Sequence, residues 1–148
     1  MKGYEFKLQK VLDVRKVRED LIGARVAELE RIIEAQKGHL LSLEKTKEGA
    51  LVERREKREV NADFRVEEEM FYEWYLENLE KRVEIIKDSL KQLEEQMRKT
   101  REELMEAAID RKVMEKLKDK DYENFEIEVA RNDQKNLDEI TIHRYKRG

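Results

Sequence analysis

The side chains that could carry chemistry are few and widely spaced. The two histidines are His39 and His143, and the two serines are Ser42 and Ser89. Cysteine is absent from the sequence, which excludes thiolate nucleophiles, thiolate metal ligands and disulfides. Glu139 lies four residues before His143, so the two could share a helical face, but two ligands do not make a metal site. We therefore predict that the protein is not an enzyme and holds neither a cofactor nor a metal.

The amino-acid composition indicates which kind of secondary structure would have to position reactive side chains. The chain has 148 residues, of which 47% are charged and 39% hydrophobic, with no proline and five glycines. A globular domain usually carries about 25% charged residues, whereas long helices and coiled coils carry far more. Carboxylates on such a helix pair have no water-excluding pocket that would shift their pKa values. The composition thus favours a long helical protein that acts through its surface.

Charge and hydropathy also restrict the partners. The formal net charge of −3 argues against a nucleic-acid binder, which needs a basic surface. The longest uncharged run, residues 38–43, is far shorter than the roughly 20 apolar residues of a membrane span. We expect a cytoplasmic protein without direct membrane insertion.

Two heptad seams, with steps of alternately four and three residues, predict a coiled coil. Nine of thirteen positions are apolar in the first seam, which runs through Leu8, Leu12, Arg15, Glu19, Ile22, Val26, Leu29, Ile33, Gln36, Leu40, Leu43, Lys47 and Ala50. Eleven of thirteen are apolar in the second, which runs through Tyr72, Leu76, Leu79, Val83, Ile86, Leu90, Leu93, Met97, Thr100, Leu104, Ala107, Arg111 and Met114.

A charge reversal between the seams predicts that the chain folds back on itself. Cations crowd residues 54–58 and acids crowd residues 67–69, as the last turn of one helix and the first turn of the next prefer. Asn61 or Asp63 would serve as the N-cap of the second helix. The expected fold is all-α, one antiparallel coiled-coil hairpin domain with helix 1 over about 4–59, a reversal at about 60–63 and helix 2 over about 64–143. The alternative is one continuous helix that dimerises in parallel.

This register makes the second helix overhang at its C-terminus. Leu8 would lie opposite the region of Lys116, so the chain beyond about residue 122 would have no intrachain partner. The apolar residues left there are Tyr122, Phe125, Val129, Leu137, Ile140 and Ile142. Within the paired part, a contact between Glu19 and Arg111 could fix the register. The alternative is a loose seam in which the arginine reaches solvent and needs no partner.

Five of the ten aromatic residues fall just after the predicted reversal, namely Phe64, Phe71, Tyr72, Trp74 and Tyr75. Tyr72 belongs to the seam, whereas Phe71 and Trp74 fall on outward heptad positions that a two-stranded coil cannot bury. Outward aromatic residues are typical anchors of protein interfaces. We predict a partner-binding patch near the hairpin tip, the alternative being that the tip or a third helix buries these side chains.

Two stretches of the sequence resemble the FliJ family of flagellar type III export. They are FKLQKVLDVRK at residues 6–16, and DRKVMEKLKDKDYENF at residues 110–125 with the later DQKNLDEI at residues 133–140. The resemblance implies a cytoplasmic antiparallel coiled coil, similar to the gamma stalk of rotary ATPases and located at the flagellar basal body. Its partners would be the hexameric flagellar export ATPase, the cytoplasmic part of the export gate membrane protein, and substrate-specific export chaperones.

The resemblance also assigns contact residues by position. The end that carries both termini would enter the ATPase ring through Lys7, Lys10, Arg15, Lys16, Arg111, Lys112, Lys116 and Lys118. The hairpin end would face the gate through Phe71, Trp74, Tyr75 and Leu79. Two alternatives remain open: a generic coiled-coil holdase or scaffold, and the equivalent stalk of a virulence type III secretion system.

Overall fold

The computed structural model describes residues 3–60 and 65–147, and these residues contain two long helices and no strand. Helix α1 runs over Gln9–Val60 and helix α2 over Val66–Arg147. The two helices pack against each other as a helical hairpin. This confirms the expected all-α hairpin fold and excludes the single continuous helix.

The chain divides into two compact units. The central unit is Gly23–Glu102, and the terminal unit combines Met1–Ile22 with Glu103–Gly148. Each unit therefore contains a stretch of both helices.

In the central unit the two helices run antiparallel. Glu30 pairs with Arg101 at 3.0 Å, and Lys47 pairs with Glu80. The core of this unit is a continuous apolar cluster of buried residues, Ile33, Leu43, Leu79, Val83, Ile86, Leu90 and Met97. All of these are seam positions, so the seven-residue period is what positions the core.

Burial follows the predicted seams closely along both helices. Every position of the second seam is buried or half-buried, and so is every position of the first except Leu8. Leu8 is 42% exposed because α1 begins only at Gln9 rather than near residue 4. The backbone N–H of Gln9 donates to the Phe6 carbonyl at 3.1 Å, and the Phe6 side chain turns inward beside Leu12 and Met114. Phe6 thus takes the buried place expected for Leu8.

The facing helix ends carry the predicted charges. Lys57 and Arg58 lie in the last turn of α1, and acidic side chains occupy the first turn of α2. Arg58 forms an ion pair with Glu69, which joins the two ends directly. The N–H groups of Glu68 and Glu69 donate to the Arg65 carbonyl at 3.0 and 3.2 Å. The reversal itself, with Asn61, Asp63 and Phe64, lies outside the described residues.

Candidate protein interface

In the terminal unit a polar cluster interrupts the apolar seam. Arg111 forms an ion pair with Glu19 of α1, and it also donates to Glu115 one turn further along α2 at 2.8 Å. The Arg111 and Glu19 side chains are only 23% and 21% exposed. The hydrogen bonds that Arg111 donates to Glu19 and Glu115 raise its pKa. The predicted contact between Glu19 and Arg111 is confirmed.

Three of the eight predicted ring-contact cations are engaged inside the terminal unit. Besides Arg111, Arg15 donates to the Asp110 carbonyl at 2.8 Å, and Lys118 donates to the Gln9 side-chain oxygen at 2.8 Å. Each of these bonds joins α1 to α2, so the three side chains hold the helix pair together. The other five predicted cations are exposed, namely Lys7, Lys10, Lys16, Lys112 and Lys116.

An aromatic cluster joins the N-terminal segment to α2. The Tyr4 ring meets Tyr122 edge-on at 5.0 Å and Phe125 at 5.4 Å between centroids. The Tyr4 hydroxyl donates to Asp121 at 3.1 Å and lies 3.3 Å from the Lys118 carbonyl. Partial burial and the Asp121 carboxylate both raise the pKa of Tyr4.

This cluster corrects the expectation that α2 lacks a partner from about residue 122. Tyr122 and Phe125 do have a partner, Tyr4, because the non-helical N-terminal segment extends along α2 before α1 begins. The stretch of α2 in which every residue is exposed starts later and covers residues 130–147. This contact could have been predicted from the antiparallel register, because the register places the first residues of the chain beside residues 118–125.

The predicted aromatic patch belongs to the central unit and is partly exposed. Phe71 and Trp74 are 57% and 60% exposed, and Tyr75 is half-buried. The Phe71 ring stacks on the Tyr75 ring at 5.9 Å with an interplanar angle of 6°. Leu79, by contrast, is only 4% exposed and lies in the apolar core, so it cannot present a contact surface. The exposed members of the predicted patch are therefore Phe71 and Trp74, with Tyr75 half-buried beside them.

The side chain of Lys57 lies over the ring of Tyr72, the buried residue of this aromatic region. Tyr72 is buried, and the Lys57 ammonium lies 5.4 Å from its ring centroid. The hydrogen bond between the Lys57 ammonium and the Tyr72 hydroxyl raises the pKa of Lys57. Tyr72 thus ties α2 to the last turn of α1 and leaves the neighbouring Phe71 and Trp74 facing solvent.

The groups considered first for chemistry are scattered on the surface. His39 and His143 are both exposed. No group of three or more potential metal ligands occurs among the residues of the two helices and their described ends. Within the same residues, no helix is long and apolar enough to cross a membrane.

A helical hairpin whose buried core follows two heptad seams is a coiled-coil protein. The family model of the flagellar FliJ protein matches residues 4–148, so the chain belongs to the FliJ family and is a flagellar export-related protein. No curated protein and no solved structure matches the chain.

Proposed function

We propose that this protein is a non-enzymatic stalk and adaptor of flagellar type III export. It works in the cytoplasm, peripheral to the membrane at the flagellar basal body. The terminal unit enters the ring of the hexameric export ATPase and promotes its assembly and activity. The central unit links the ring to the export gate and to substrate chaperones.

The observation that supports the ring contact is that the cations of the terminal unit fall into two groups, those that bond across the helix pair and those that are exposed. Arg15, Arg111 and Lys118 bond across the helix pair, and such bonds hold the two helices in a fixed register. The exposed set, including Lys10 and Lys112, remains available to acidic groups of a ring. A rigid hairpin inside a ring stimulates hydrolysis by favouring one arrangement of the ring subunits, without supplying a catalytic group.

The gate contact is supported by the exposure of Phe71 and Trp74. Large aromatic side chains on a surface supply most of the binding energy in many interfaces. Phe71 is held by its stack on Tyr75, so little conformational entropy is lost when a partner covers it.

The test is the ATP hydrolysis rate of the purified export ATPase as this protein is added, measured together with hexamer formation. We expect stimulation, and we expect the Lys10→Glu/Lys112→Glu variant to need about tenfold more protein for half-maximal stimulation. The matched control is Lys45→Glu/Lys91→Glu, which reverses two exposed lysines of the central unit. Equal loss in both variants would assign the effect to net charge, and no stimulation by the natural chain would favour a scaffold or holdase.

A further inference from the structure

An open groove lies beside the aromatic patch of the central unit, between the end of α1 and the beginning of α2. Its volume is about 560 Å³, and its lining includes Glu53, Lys57, Glu67, Glu68, Phe71 and Tyr72. The first two belong to α1 and the others to α2. The groove therefore brings aromatic rings and charged side chains together on one surface.

The groove is net negative, because its lining carries three carboxylates and one ammonium. The ammonium of Lys57 has its partners within the groove, since it lies 3.7 Å from Glu53 and 5.4 Å from the centroid of the Tyr72 ring. Glu67 and Glu68 are exposed, and among the described residues neither forms a salt bridge. These two carboxylates are therefore available to a cation from another molecule.

Lys57 shows which kind of ligand this arrangement suits. A cation over an aromatic face is attracted by the ring quadrupole, and a carboxylate beside it adds to the attraction. Phe71 and Glu67 offer the same combination of ring and carboxylate, because they lie four residues apart and so on one face of α2. Phe71 is 57% exposed, and its ring is held by the stack on Tyr75 at 5.9 Å. A cationic side chain of a partner can lie against this ring with Glu67 beside it.

On the other side of the patch the carboxylate is already paired. A hollow of about 220 Å³ lies beside Trp74 and is also lined by Glu77, Asn78 and Lys81. Lys81 lies 3.5 Å from Glu77, so this part of the surface supplies its own cation. Trp74 itself is 60% exposed and suits an apolar side chain. The patch thus has an acidic side at Phe71 and an apolar side at Trp74.

We infer that the groove receives an arginine from a basic amphipathic segment of the partner protein, and that a neighbouring apolar side chain of this segment covers Trp74. Arginine suits the groove better than lysine, because its planar and weakly hydrated guanidinium stacks on aromatic rings and donates two hydrogen bonds to carboxylates. Glu67 and Glu68 accept these bonds. The inference rests on the proposed function only in treating Phe71 and Trp74 as a partner-binding surface.

The test uses three synthetic amphipathic helical peptides of equal length, each with a leucine face and no tryptophan. Their charged positions are all arginine, all lysine or all glutamate. Binding to the full chain is followed by the fluorescence of Trp74, its single tryptophan. We expect the arginine peptide to bind with a dissociation constant of about 10–100 µM. The lysine peptide should bind about two- to fivefold more weakly, and the glutamate peptide should show no saturable binding.

Two carboxylate variants locate the binding on the chain. Glu67→Gln/Glu68→Gln should raise the dissociation constant of the arginine peptide about three- to tenfold, since both charge-assisted hydrogen bonds are weakened. Glu84→Gln/Glu94→Gln is the matched control, at two exposed acids of the same unit. These acids lie about 24 Å or more along α2 from Glu68, beyond the screening length of physiological salt, so the constant should stay within about twofold. Circular dichroism verifies that both variants stay helical.

An aromatic variant tests the stacking of the cation. Phe71→Leu should raise the dissociation constant of the arginine peptide about two- to fivefold and remove its advantage over the lysine peptide. Tyr145→Leu, at an exposed aromatic residue of the terminal unit, should keep both values.

Three results would overturn the inference: a glutamate peptide that binds as tightly as the arginine peptide, equal losses in the two carboxylate variants, and an arginine preference that survives Phe71→Leu. The cytoplasmic part of the export gate should compete with the arginine peptide. If the gate does not compete while the peptide still distinguishes the two carboxylate variants, the proposed gate contact is wrong and the preference of the groove for arginine stands.

Discussion

Arg111 and Glu19 form an ion pair between α2 and α1 at seam positions that are otherwise filled by apolar side chains. The two partners are not equivalent. Arg111 has a second acidic partner in Glu115, at 2.8 Å, whereas Glu19 accepts its hydrogen bonds, among the described residues, from Arg111. Removal of either side chain therefore leaves the other in a different electrostatic situation.

The first prediction follows from this asymmetry. Arg111→Leu leaves the Glu19 carboxylate half-buried without its cation, whereas Glu19→Leu leaves Arg111 with Glu115, so Arg111→Leu should lower the unfolding temperature more. The double variant should lie closer to the natural chain than Arg111→Leu does, since two apolar side chains then fill the seam. Thermal unfolding followed by circular dichroism measures all three. Additive losses in the double variant would show that the pair is not coupled.

The seams were predictable because burial in a helix pair depends mainly on the period of apolar residues. A polar residue such as Thr100 or Arg111 is half-buried by its place in the heptad in spite of its polar side chain. The start of α1 was not predictable in this way. Leu8 fits the heptad period and was expected in the core, whereas the core contains Phe6 instead. The larger aromatic side chain is buried at 7% exposure, while Leu8 stays at the surface.

The second prediction concerns Leu12, the largest fully buried side chain among the described residues. Leu12 is 1% exposed and packs with Phe6 and Met114. Leu12→Ala should therefore reduce the free energy of unfolding by about 2–5 kcal/mol, because the rigid helix pair cannot fill the cavity. Val14→Ala, at a residue of the same helix that is 67% exposed, is the control and should cost less than about 0.5 kcal/mol. Similar losses in the two variants would contradict the packing described for Leu12.

The third prediction uses two C-terminal truncations. Deletion of residues 131–148 removes exposed helix from the described part of the chain, so the unfolding temperature should change by no more than about 2 °C. Deletion of residues 122–148 also removes Tyr122 and Phe125 from the Tyr4 ring and should lower it by about 5 °C.

A point variant separates the aromatic contacts from helix length in this comparison. Tyr4→Ala removes the same ring contacts in the full-length chain, so it should reproduce most of the difference between the two truncations. If Tyr4→Ala melts like the natural chain, the N-terminal segment does not hold α2 in solution.

The fourth prediction is a pH dependence of the Lys47–Glu80 pair in the central unit. The hydrogen bond from Lys47 lowers the pKa of Glu80 below its ordinary value of 4.5. The pair therefore stabilises the folded state fully above the pKa of the unfolded chain, and this contribution is lost as the pH falls through the lower folded-state pKa. The difference in unfolding temperature between the natural chain and Lys47→Met should shrink between pH 6 and about pH 3.

Lys45→Met is the matched control for that titration. Lys45 is exposed on the same helix, and no pH-dependent difference is expected from its removal. A difference for Lys47→Met that stays constant down to pH 3 would mean that Lys47 acts through the packing of its alkyl chain rather than through the Glu80 carboxylate.

The fifth prediction uses Trp74, the single tryptophan of the chain, as a direct reporter of the aromatic patch. Because its side chain is 60% exposed, iodide should quench its fluorescence nearly as well as that of a free tryptophan peptide. Addition of the cytoplasmic part of the export gate should protect it, and Trp74→Ala should weaken that binding about 30-fold, as expected of a central interface residue. Tyr145→Ala, at a surface aromatic of the terminal unit that is 87% exposed, should bind normally. Strong protection of Trp74 in the free protein would mean that the patch is already covered, and unchanged binding by Trp74→Ala would move the gate contact away from Phe71 and Trp74.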